Sequence, residues 1–252
     1  MIEMKTITLK SKHGYDIPCR SAWDGQERVV IACHGFGSSK DSPMIQALME
    51  TFPPAGLGVV SFDFPAHGDS PIGQEGLRVP YCIGDLAAVE AQIRAQAPGV
   101  SLGYFGSSFG AYITLLYLAQ AEEHGPRAFL RSAAVAMPEL VESWVDQRAR
   151  EDLARQGYFV PDYDYVREIR VTPAFLQDLE AHDVFRRCQP GTVRLCMVHG
   201  GRDAAAPLAH AQAFAREKQA ELTVLPEGEH NLMGPGELEK VLRLSQAFFL
   251  AP

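Results

Sequence analysis

A serine with glycine two residues away on either side, Gly106-Ser107-Ser108-Phe109-Gly110, follows one apolar run and opens another. Where a strand turns tightly into a helix, such a serine is presented at the tip of the turn as a nucleophile. Only small neighbours two residues away let strand and helix pack that closely. Ser108 meets this condition, and Ser107, flanked at the same offsets by Phe105 and Phe109, does not. A serine hydroxyl is a weak nucleophile at its own pKa, so a base must take its proton and a third group must orient the base. Of the eight histidines, His230 in the segment GEHNL lies after the nucleophile and after a suitable acid, Asp203 in HGGRDAAAP. Glu227, Glu229 and Asp183 are the other carboxylates that could fill the acid's place. The backbone N–H of Phe109, at the start of the following helix, points where negative charge develops on an attacked carbonyl. The N–H of Phe36, in His34-Gly35-Phe36-Gly37, is the choice for the second donor. His34 is expected to fix that loop, His67 with Asp63 to brace a neighbouring one, and His199 to end a strand without a catalytic role.

Hydrophobic periodicity supplies the elements that must hold these residues. Two antiparallel edge strands are expected near Thr6–Leu9 and Ile17–Trp23, then a strand at Val29–Cys33 ending on His34-Gly35. A helix over about 41–51 and a strand at Gly58–Phe64 follow. Leu86, Val89, Ile93 and Ala97 fall at helical spacing and line one face of a helix that ends before Pro98-Gly99. The strand leading into GSSFG runs directly into a long helix, which Gly125-Pro126 should stop. A strand at Phe129–Met137 precedes a stretch from Pro138 to Pro190 without a strongly apolar strand, read as an inserted helical cap. The alternation resumes with a strand at Arg194–Gly200, a helix over about 207–219, the strand ELTVLP and a helix over 236–250. Such alternation implies a mostly parallel sheet with helices on both faces, and each candidate catalytic residue follows a strand at its C-terminal end.

Composition excludes several classes. With 46% hydrophobic and 21% charged residues in 252, the chain has enough apolar surface for a substantial core and is not a disordered segment. Its net charge of −8, with no Lys/Arg run, argues against a nucleic-acid partner. The longest apolar stretch, Ile113–Ala119, is far short of the roughly 20 residues of a membrane span. The opening MIEMKTITLK lacks the pattern of a secretory signal, so a cytoplasmic location is expected. Five cysteines without a CxxC pair suggest reduced thiols rather than a disulfide framework or a zinc knuckle. There is no Gly-x-Gly-x-x-Gly after a strand, no Gly-x-x-x-x-Gly-Lys and no His-Glu-x-x-His, which removes nucleotide and zinc enzymes.

Four motifs, HGFGSSKD, FDFPAHGDS, GSSFG and the pair HGGRDAAAP with GEHN, resemble those of the α/β-hydrolase fold serine hydrolases, over essentially the whole chain outside the cap. Within that family the sequence looks most like bacterial carboxylesterases, including those that cleave cinnamoyl (feruloyl) esters, and related lipase-like and aminopeptidase-like members. The resemblance implies Ser108 as nucleophile, Asp203 as acid, His230 as base and Phe36 with Phe109 as oxyanion donors, with no cofactor and no metal. Ala66 departs from the pattern, since many members carry glycine there. In the cap, Trp144, Tyr158, Phe159, Tyr163 and Tyr165 form an aromatic set that either lines a pocket for an aryl or acyl group or packs the insert onto the domain. The expectation is a single α/β-hydrolase domain over 1–252 with a cap at 138–190, hydrolysing a small-molecule carboxylic ester. The same triad would equally serve amide, thioester or lipid ester cleavage, and a ligand-binding relative with little turnover is the alternative outside catalysis. A homo-oligomer is compatible with the sequence.

Overall fold

In β3 (Arg28–Cys33), Val29, Ile31 and Cys33 pack into one hydrophobic cluster and Val30 and Ala32 into another, so the strand separates two cores. This is the signature of a strand covered on both faces, and it explains the unbroken apolar run. A computed structural model describes residues 3–120, 127–162, 165–191 and 193–252. Tyr163 and the expected helix stop at Gly125-Pro126 lie outside these residues.

Among the described residues, eight strands form one sheet in the order β1-β2-β4-β3-β5-β6-β7-β8. β1 (Lys5–Lys10) and β2 (Asp16–Ala22) run antiparallel at one edge, as expected. β4 (Leu57–Phe62), β3, β5 (Ser101–Ser107), β6 (Arg127–Arg131), β7 (Arg194–Gly200) and β8 (Glu221–Leu225) are parallel. From β3 the chain moves outward to β4 and then returns to place β5 on the other side of β3. That reversal opens a crevice at the C-terminal ends of β3 and β5, where open α/β sheets bind their ligands.

One face of the sheet is covered by α1 (Pro43–Thr51) and α9 (Glu237–Leu250), the other by α2 (Val79–Gln96), α3 (Phe109–Leu118) and α8 (Leu208–Lys218). All ten residues of α3 are buried, so the central helix is apolar all round and has no polar stripe. Between β6 and β7 lie α4 (Met137–Trp144), α5 (Gln147–Gln156), α6 (Pro173–Ala181) and the short α7 (Val184–Arg187), with an isolated bridge between Phe159 and Val171. Val141, Phe159, Val171 and Phe175 join the same hydrophobic cluster as α3, so this insert shares the core of the main body.

The strand expected over Phe129–Met137 is shorter. It ends at Arg131, Ser132 takes φ 48°, and residues 133–136 run as a buried loop whose Ala134 N–H donates to the Ser108 carbonyl. Apolar character there reports burial beneath the β5–α3 turn rather than extended pairing. Among the described residues, no helix is long and apolar enough to cross a membrane.

Candidate active site

Every turn at the site leaves the C-terminal end of a parallel strand. Between β5 and α3, Ser108 is held at φ 52° and ψ −113°, outside the regions that L-residues prefer. The two glycines are required by close approach. A Cβ on Gly106 would stand 2.5 Å from Ala111 Cα, and one on Gly110 would stand 2.3 Å from the Cys33 carbonyl oxygen and 2.5 Å from that of His34. The turn is thus wedged against the end of β3, and Gly35 lies directly against Ser108.

Opposite the serine, His230 sits between β8 and α9 with its Nε2 3.0 Å from Ser108 Oγ and its Nδ1 2.9 and 3.0 Å from the two Asp203 carboxylate oxygens. A carboxylate only accepts, so the Nδ1–H donates to Asp203 and Nε2 is left to accept the proton of Ser108. Asp203 is buried on the β7–α8 connection. Burial alone would raise its pKa, but hydrogen bonds from His199 and His230 and from the Ala206 N–H outweigh that and hold it well below the ordinary carboxylate range. The structure therefore brings Ser108, Asp203 and His230 into one hydrogen-bonded chain. Asp183 instead caps the N-terminus of α7, and Glu227 pairs with Arg202.

Phe36 and Phe109 are also brought together, with ring centroids 5.6 Å apart in an edge-to-face arrangement. Phe109 is the first residue of α3, so its N–H has no acceptor within the helix. The loop carrying Phe36 is fixed by His34. The Phe64 N–H donates to His34 Nε2 over 3.1 Å, which leaves His34 Nδ1 to donate to the Gly35 carbonyl over 2.8 Å. That neutral tautomer agrees with burial, which pushes the His34 pKa down to about 4.

His67 and Asp63 both brace the neighbouring loop, through separate contacts. His67 donates to the Pro65 carbonyl, while Asp63 accepts from the Lys40 and Asp69 N–H groups and from Lys40 Nζ. Lys40 is the partner that pattern reading overlooked. Ala66 in this loop takes φ 65°, a conformation in which glycine is unstrained.

Three further residues were not legible as part of the site. His199, expected to end a strand without a catalytic role, places Nε2 3.1 Å from Asp203 Oδ2 and 2.7 Å from the Ala206 carbonyl, with its side chain and that of Asp203 both fully buried. At the end of β6, Ser132 Oγ donates to the His230 carbonyl over 2.7 Å, and Arg131 donates to the Asn231 carbonyl and to Ser107 Oγ. The histidine loop is therefore clamped from β6. An Arg-Ser pair at the exit of a strand carries no motif, and the spacing HGGRD is the hint for His199.

Two cavities meet at Ser108. One, of about 320 Å³, is lined by Phe36, Phe109, Met137, Leu140, Trp144 and Tyr165. The other, of about 290 Å³, has Ser38, Ser42, Ser107, Arg131, Asn231 and Met233 in its wall. Trp144 and Tyr165 thus reach the site. Tyr158 does not line either cavity, and instead lies beneath the Arg170 guanidinium at 4.7 Å. The Tyr165 ring packs over Gly37, and the Val166 N–H donates to the Gly37 carbonyl over 3.1 Å, which pins the insert to the Phe36 loop. Among the described residues, no group of three His, Cys, Asp or Glu side chains is arranged to hold a metal ion.

Comparison with known proteins agrees with this architecture. A family model described as alpha/beta hydrolase fold matches residues 28–162. No curated protein matches by sequence. Among solved structures, a candidate hydrolase from Agrobacterium vitis S4 superposes with a TM-score of 0.82 at 22% identity, covering 99% of each chain. Est1E from Butyrivibrio proteoclasticus, with ferulic acid bound, gives 0.81 at 19% identity over 97% of this chain and 98% of its own. The esterase PF2001 of Pyrococcus furiosus gives 0.72 at 20% identity over 99% and 91%.

Proposed function

The chain belongs to the α/β-hydrolase fold family, and from that premise we propose that it is a serine esterase working through an acyl-enzyme on Ser108. The observation that carries the reading is the continuous hydrogen-bonded chain from Ser108 Oγ through His230 to Asp203, with the serine held on a strained turn. In the first half-reaction His230 Nε2 takes the hydroxyl proton as Oγ attacks the ester carbonyl. The oxyanion is held by the N–H groups of Phe36 and Phe109. The imidazolium, stabilised by Asp203, returns the proton to the departing alcohol. Water activated by the same histidine then attacks the acyl-enzyme, and the acid is released from Ser108.

The segment 138–190 acts in this reading as a cap, with Trp144 and Tyr165 over the larger cavity as the wall for an apolar or aryl group. The P. furiosus esterase supports an ester as the substrate class, and Est1E, with ferulic acid bound, supports an aryl group in that pocket. The test is labelling with a fluorophosphonate, mapped by mass spectrometry, beside hydrolysis of p-nitrophenyl esters. Adduct on Ser108 in the wild type, its loss in His230→Ala, and no turnover by Ser108→Ala are expected. Absence of adduct in folded protein refutes the assignment.

A further inference from the structure

The smaller cavity contains a charge that the reaction above does not use. Arg131 stands at the end of β6, 7% exposed, in the same cavity wall as Ser108. One of its five N–H groups goes to Ser107 Oγ and one to the Asn231 carbonyl, while Nε is buried without a partner. Among the described residues no carboxylate forms an ion pair with it. The acid nearest in influence is Asp203, which is already bound to His199 and His230. Burial pushes the guanidinium down to about 10, with the charge on Asp203 acting against the shift, so Arg131 still carries its proton at neutral pH. A buried cation with spare donors and no counter-charge is unfavourable unless a partner arrives.

The rest of the wall suits an anion. Ser38 and Ser42 add hydroxyls, and Ser42 is the N-cap of the nine-residue α1 without bonding back to the helix. The electropositive end of α1 therefore faces the same space as the guanidinium. One planar fork with a single charge matches a carboxylate, which can accept two parallel N–H bonds.

Resting on the esterase reading, we infer that this cavity selects esters bearing a carboxylate a few bonds from the scissile carbonyl, with Arg131 as its counter-charge. Ser108 then lies between an apolar cavity under Trp144 and Tyr165 and an anion-binding one, and the preferred substrate is apolar on one side of the ester and anionic on the other.

The experiment compares matched esters, charged against neutral, as ratios of kcat/KM. On the acyl side the pair is the p-nitrophenyl monoester of glutaric acid and its methyl ester. On the alcohol side it is the butyrate ester of 3-hydroxypropanoate and that of its methyl ester. The wild type should favour the anionic member of one pair by about tenfold or more, the scale of a hydrogen bond to a charged group. In Arg131→Gln that ratio should fall to one or below. If Arg131 only tethers the histidine loop, the variant lowers both members equally and the ratio is unchanged, which overturns the inference. A wild type that favours the neutral member of both pairs, or neither member, also overturns it.

A second measurement needs no variant. 3-Carboxypropylboronic acid should inhibit the wild type about tenfold or more tightly than its methyl ester, and equal inhibition refutes the anion site. Fluorophosphonate labelling of Ser108 and turnover of neutral esters read the esterase assignment separately, so the two ideas fail by different results.

Discussion

The backbone at Ser108 makes a prediction that involves stability alone. At φ 52° and ψ −113° Ser108 occupies a region that is open to glycine and strained for any residue with a Cβ. Replacing Ser108 by Ala removes the hydroxyl and keeps the Cβ, whereas Ser108→Gly removes both, so the difference between the two variants isolates the strain. A sparsely populated conformation of this kind destabilises by about 1–3 kcal/mol. Glycine loses about 0.4–1 kcal/mol through the greater freedom of its unfolded chain. The strain term is the larger, and Ser108→Gly should exceed Ser108→Ala in stability by about 1 kcal/mol, or about 2–4 °C in Tm for a chain of this size. Urea denaturation followed by circular dichroism, with a thermal scan of both proteins, measures it. At an ordinary position alanine is the more stable of the two. If Ser108→Ala proves more stable here by the usual margin, the turn stores no strain and the reasoning is refuted.

Three other predictions follow from the same geometry. Gly110→Ala drives a Cβ to 2.3 Å from a β3 carbonyl oxygen, and backbone cannot yield as a side chain tip can. The variant should lose about 3 kcal/mol or more or fail to fold, as read by soluble yield and urea midpoint. His199→Phe withdraws a buried donor from Asp203 and should lower stability by about 1–3 kcal/mol, with kcat falling more than KM rises. Steady-state kinetics that leave kcat intact would return His199 to a purely structural role. Acidification should destabilise the wild type. His34 is depressed to about 4 by burial, so the unfolded chain binds its proton first, and stability present above pH 6.5 is lost as the pH falls toward 4. Asp85, raised to about 6 by burial against hydrogen bonds from Ser11 and Tyr15, acts in the opposite sense, because the folded state binds its proton first. Asp85→Asn should therefore steepen the loss between pH 7 and 5 in urea titrations.

Local patterns make the alternation of strands and helices legible, and chain order points to Ser108, Asp203 and His230, which the fold brings into one hydrogen-bonded chain. Those signals are short in range: a glycine spacing, an apolar run, a carboxylate after a strand. What stayed hidden spans the chain. Arg131 and Asn231 are 100 residues apart and Ser132 and His230 98, and in neither case does the residue type announce a partner. The apolar 133–137 segment read as strand because periodicity reports burial, and a buried loop beneath Ser108 satisfies the same signal. Between β6 and β7, Trp144, Tyr158 and Tyr165 are equal as aromatic residues, and only packing separates the two that reach the cavity from the one that stacks on Arg170.

The seat of Tyr165 on Gly37 bears on how the fold can be re-engineered. An insert that touched the body only at its two chain junctions could be exchanged as a cassette. Here it is also bound away from its junctions, by the Arg78–Asp178 pair, by Arg167 on the Ser70 carbonyl and, through the Tyr165 ring and the Val166 N–H, on the loop that carries Phe36. A transplanted cap must bring its own aromatic residue and N–H to that seat, or the recipient inherits a new pocket with a loosened loop. Libraries of cap chimaeras built on this scaffold should therefore keep residues 37 and 165–166 together as one unit.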